Sequence, residues 1–154
     1  MRHGQALSAQ ESGPRSDAGR KLSRDGACQI ETSSKRLGEL GFFPGVIISS
    51  PFLRAVETAD IAARYFPAAR RVTEPALVSA ASLQDMINAI AAAAASEASV
   101  LVIGHQPTLG SLCGLLLKAD SLPFGTGGFA YLKLTAGLCR GEAELAEFFA
   151  PEPV

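Results

Sequence analysis

Tryptophan is absent, tyrosine occurs twice, and aromatic residues make up only 6% of the 154-residue chain. Any core must therefore be built mainly from aliphatic side chains, and apolar residues at 47% are enough for one. The three cysteines, Cys28, Cys113 and Cys139, are an odd set with no C-x-x-C spacing. That argues against a disulfide framework or a zinc site and makes a reducing cytoplasm the default setting. Cys28 and Cys113 fall in helical patterns and read as small packing residues. No excess of one charge exists: 14 basic residues face 15 acidic ones, for a net charge of −1. General nucleic-acid or membrane-surface binding is excluded on that ground, so any basic character that matters must be local. Long apolar runs are also missing, which argues against a membrane span or secretory leader.

What is present is an alternation of helix and strand signals without repeats or a long linker, as expected of a single domain over 1–154. Gln5 to Gly19 is polar and rich in Ser, Gly and Pro, and reads as a loop. Ser23 is an N-cap signal for a helix with Ile30, Leu37 and Leu40 on its apolar stripe and Gly41 at its end. Gly45 to Ser49 is a β-branched run suited to a strand buried on both faces. Ser50-Pro51 then reads as an N-cap with proline at the first helical position, opening a helix to about Phe66.

Val72 marks a short second strand. Ser82 to Asp85 resembles a capping box in front of an alanine-rich helix. Ser99 to Ile103 is the clearest buried strand, and Pro107 opens a helix to about Leu117. Phe129 to Leu134 alternates as a strand, with a last one over Ala146 to Phe149. The order predicts an α/β three-layer sandwich with a mostly parallel central sheet. Ligands in such folds bind where strands end and helices begin, which selects Ser49-Ser50-Pro51 and Gly104-His105-Gln106.

The chain has two histidines, His3 and His105, each beside a glycine. A lone histidine near a strand end is ordinarily structural or superficial. With Arg2 and Arg54 the pair becomes more specific. Arg54 sits in a first helical turn, where its side chain leans back over the strand ends. Two arginines, two histidines and helix N-termini would form a pocket for a phosphoryl dianion. The glycine-rich Phe124 to Phe129 lacks a P-loop ending. It reads as a turn, with Thr126 able to edge the pocket.

Four segments in order, Arg2-His3-Gly4, Arg20 to Gly26, Ser49 to Ala59 and Val102 to His105, resemble the histidine phosphatase superfamily. The resemblance runs from Arg2 to about Leu134, and the short, uncapped chain is most similar to its SixA-type phosphohistidine phosphatases. It implies a phosphoglycerate mutase-like fold, a phosphorylated His3, and Arg2 and Arg54 as a phosphoryl clamp. It also implies that His105 stabilises the transferring group, with Arg20 and Gly4 as further substrate contacts. No metal or cofactor is implied, because the cationic side chains supply the positive charge.

Two departures follow. The resemblance implies a central strand before Arg2, but only Met1 precedes it. That strand is expected to be missing or truncated, with a start assigned short of the true one the favoured cause. The segment from Pro75 to Leu83, where a proton-donating acid is expected, contains none. Glu74 reads as a strand-end residue and Asp85 as a helix cap. An alkoxide leaves poorly without a proton donor, whereas a protonated phosphohistidine ring leaves as neutral imidazole.

The expected function is thus a metal-independent phosphatase acting through phosphohistidine on His3. Its expected substrate is a phosphohistidine partner protein, such as a histidine-containing phosphotransfer domain. A small phosphorylated substrate is the other partner considered. A broad phosphomonoesterase of the same fold, or a weakly catalytic phosphate-binding regulatory module, are the alternatives.

Overall fold

The computed structural model describes residues 1–13, 16–78 and 82–152. Helix α1 (Arg24–Glu39) starts at Ser23, whose Oγ accepts from Gly26 N, and ends before Gly41 at φ +74°. Strand β1 (Val46–Ser49), helix α2 (Leu53–Tyr65) and strand β2 (Arg70–Thr73) follow. Helix α3 (Leu83–Ala94) is capped by Ser82, which accepts from Asp85 N at 3.1 Å. Strand β3 (Val100–Ile103), helix α4 (Thr108–Leu117) and the hairpin β4 (Phe129–Leu134) and β5 (Ala143–Phe149) complete the order.

The strands β2-β1-β3 form a parallel sheet, and β4-β5 form a separate antiparallel pair. Alternation along the strands divides the core between the two faces. Ile47, Leu101 and Ile103 pack with Ile30 and Leu37 of α1 and Ala55 and Ala59 of α2. Val46 and Ile48 point the other way, against Met86 and Ile90 of α3 and Leu112 and Leu116 of α4. This is the expected three-layer α/β arrangement.

Residues 1–3 form a short stub beside β3, with a parallel bridge from Arg2 to Gly104. Met1 to His3 lie between β3 and the turn before β4. The amino group of Met1 donates to Val102 O at 2.8 Å, and Gly104 N donates back to Met1 O at 3.2 Å. On the other side, Arg2 N donates to Gly128 O at 2.9 Å. Beside Met1 the two sheets part around a cavity of about 480 Å³, lined by Val102, Leu112, Phe124, Tyr131 and Leu132 among others.

Several element boundaries differ from the sequence reading. Helix α2 begins at Leu53, not Pro51; the Ser50 hydroxyl accepts from Phe52 N at 3.3 Å and is engaged with His105 at 2.8 Å. Strand β5 begins earlier than Ala146. The predicted loop of Gln5 to Gly19 contains a 3-10 turn, Asp17–Gly19, and an antiparallel bridge from Ala6 to Leu22. Among the described residues, no helix is long and apolar enough to cross a membrane. Ser79, Ala80 and Ala81, part of the segment without an acid, lie outside the described residues.

Candidate active site

The strand ends, the stub and the first turn of α2 bring His3, His105 and Arg54 together. His3 is fixed by its backbone: its N–H donates to Gly104 O at 3.1 Å, and its carbonyl accepts from Gly127 N at 3.0 Å. Its ring is fixed by Nδ1, which lies 2.7 Å from Gly4 O. A carbonyl can only accept, so Nδ1 carries the proton and Nε2 keeps its lone pair. Arg54 Nε donates to that Nε2 at 3.2 Å.

Gly4 has a steric reason to be glycine. A Cβ there would stand 2.5 Å from Gly26 O, and one on Gly26 would stand 2.1 Å from Gln5 O. The chain after His3 thus crosses the start of α1 backbone to backbone. The glycines of two separate sequence segments are two halves of one crossing. Gly4 N also donates to Thr58 Oγ1 at 3.2 Å.

His105 is 3% exposed, and its ring centroid lies 4.9 Å from that of His3. Its Nε2 is held by Ser50 Oγ, while its buried Nδ1 has no partner among the described residues. Arg2 donates from Nη1 to Phe124 O at 2.8 Å, and its buried Nε is likewise unpartnered. Unsatisfied buried polar atoms are rare in folded chains and call for a ligand or water.

Arg54 is only 7% exposed and packs over the Phe52 ring at 5.0 Å. It donates from Nη1 to Asp17 O at 2.7 Å and from Nη2 to Asp17 Oδ2 at 3.0 Å. Arg20 is anchored by Leu7 O and pairs with Asp17 Oδ1 at 3.1 Å. Thr126 is half-buried beside Gly127, and its hydroxyl makes no hydrogen bond to the cluster among the described residues.

Burial pushes His3 down from its ordinary 6.5 to about 4, and the charges of Arg54, Arg2 and Arg20 push the same way against the Gly4 carbonyl. His105 falls to about 3 through burial, then through His3 and Arg54, with Asp17 opposing. Both rings are neutral near neutral pH, and the His3 Nε2 lone pair accepts from Arg54 Nε.

Sequence reasoning missed Asp17, Ser50 as the partner of His105, and Phe52 beneath Arg54. Asp17 stands three residues before Arg20, and that spacing was a signal for an ion pair. Glu74 caps its own turn by accepting from Ala76 N at 3.0 Å. Glu57 accepts from Leu22 N at 2.7 Å. Among the described residues, no group of three His, Cys, Asp or Glu is placed to hold a metal ion.

Residues 1–78 match the family model for the histidine phosphatase superfamily, branch 1. The chain belongs to this superfamily. It is 31% identical over 153 residues to an uncharacterized protein of Picosynechococcus sp., covering 94% of this chain and 86% of that one. Among solved structures, it is similar to the protein histidine phosphatase SixA complexed with tungstate. The TM-score there is 0.83 at 24% identity, over 97% of this chain and 94% of that chain. A proposed phosphohistidine phosphatase SixA of Nakamurella multipartitia gives 0.78 at 26% identity, over 100% of this chain and 94% of the other. The superfamily and the SixA-like fold together support phosphatase activity for this chain.

Proposed function

We propose that the chain is a phosphohistidine phosphatase, with His3 as nucleophile. His3 Nε2 attacks the phosphorus, while Nδ1–H remains bonded to Gly4 O. Arg2 and Arg54 clamp the phosphoryl oxygens, and His105 Nδ1–H donates to one of them while Nε2 accepts from Ser50. Arg20 and Gly4 support the same pocket, and Thr126 edges it. The deficit of partners at Arg2 Nε and His105 Nδ1 carries this reading: two buried nitrogens of the cluster lack a partner, and a phosphoryl group offers acceptors to Arg2 Nε and to His105 Nδ1 in its protonated tautomer. The tungstate held by the SixA relative is consistent with an anion there.

The substrate follows from the leaving group. Glu74 and Glu57 are engaged with backbone amides, so neither is poised to protonate an alkoxide. A phosphorylated histidine on a partner protein needs no such acid. The test is hydrolysis of a phosphohistidine protein and of an aryl phosphate in the presence of a chelator. Fast loss of phosphohistidine, slow aryl phosphate turnover and a loss on the order of 10³-fold or more in His3→Ala are expected. Equal rates on the two substrates would indicate a broad phosphomonoesterase. Phosphate binding without turnover would indicate a regulatory module.

A further inference from the structure

Asp17 is the acid that the pocket holds and the reaction above leaves without a role. Its two carboxylate oxygens bridge Arg54 at 3.0 Å and Arg20 at 3.1 Å. Its carbonyl takes a third donor, from Arg54 Nη1. Yet its side chain is 59% exposed, while that of Arg54 is 9% exposed. The carboxylate therefore stands on the solvent side of the clamp.

In-line displacement puts the leaving nitrogen on the far side of phosphorus from the attacking His3 Nε2. His3 is 8% exposed, against 59% for the Asp17 side chain on the outer side of Arg54. The leaving group thus departs towards the rim, where Asp17 stands. Arg54 and Arg20 hold this carboxyl below its ordinary pKa although partial burial opposes them, so it is an acceptor and not a proton donor.

We propose that Asp17 selects the leaving group, accepting a hydrogen bond from the free ring N–H of a phosphorylated histidine while the arginines hold its phosphoryl group. This rests on the phosphohistidine reading above. The P–N bond of the substrate breaks with its electron pair returning to the leaving nitrogen, and a P–N bond to His3 Nε2 forms. The proton on the substrate's other ring nitrogen stays there, so neutral imidazole departs. The positive ring charge passes to His3, whose Nδ1–H is already held by Gly4 O. An ester oxygen has no N–H to offer and would leave as an anion beside a fixed negative charge.

The test compares wild type and Asp17→Asn on a phosphohistidine protein and an aryl phosphate. The ratio of the two kcat/KM values should fall about tenfold or more in Asp17→Asn, the loss expected for one hydrogen bond to a charged group. Asp17→Ala should lower the ratio in the same direction. A ratio that does not move, with both substrates slowed by one factor, would show that Asp17 only positions Arg54, and would overturn the assignment. A wild-type chain that hydrolyses aryl phosphate but never phosphohistidine would instead overturn the substrate reading itself.

Discussion

His3 is held from three directions: the backbone bonds to Gly104 and Gly127, the Nδ1 bond to Gly4, and the Arg54 contact at Nε2. This fixes the tautomer in advance, as the proposed nucleophile role requires. The low pKa of His3 has a kinetic consequence. For the free enzyme the acid limb of kcat/KM should lie near 4, not near 6.5, because His3 loses its lone pair only on protonation. A pH–rate profile measures this directly, and a limb at 6.5 would show that the ring is not shielded. If Arg54 clamps the transferring group as proposed, Arg54→Ala should lower kcat/KM by about 10²-fold or more. Much of this scale was legible in the sequence, because motif residues carry their chemistry with them. The Asp17 contact with Arg54 and the Ser50 contact with His105 were not, since only the fold brings those partners near.

At the scale of elements, the crossing of Gly4 over Gly26 joins the stub to α1. Alanine at either position puts a Cβ against backbone, which cannot move aside as a side chain can. Gly26→Ala lies away from the reacting atoms and should destabilise by about 2 kcal/mol or more, read as a lower urea midpoint.

Helix signals read well at this scale. Ser23 and Ser82 cap the helices they were expected to cap. Ser50 did not, because a hydroxyl at a strand end can cap a helix or hold a neighbouring histidine, and sequence alone does not say which.

For the whole molecule, the division of β1 and β3 between two helical layers was legible in their unbroken apolar runs. The parting of the sheet around the stub was not placed, because hydrogen bonds such as Met1 to Val102 join residues far apart in sequence. The same burial gives stability a pH dependence. Unfolding returns His3 and His105 to 6.5 from about 4 and about 3, and the Met1 amine to 8.0 from about 6. The unfolded chain therefore binds more protons across this range. The amine's share of stability is complete above pH 8.0 and lost by about pH 6. The histidines' share is complete above 6.5 and lost towards about 4 for His3 and about 3 for His105. Urea midpoints should rise steadily from acid to mildly alkaline pH, and a flat profile would contradict the burial of these groups.

Rapid quenching with a radiolabelled phosphohistidine protein reads whether His3 carries the phosphoryl group. A transient label should form on the chain, stable to alkali, labile to acid, mapped to His3, and absent from His3→Ala. Turnover with no label at His3, or undiminished turnover in His3→Ala, would contradict that role.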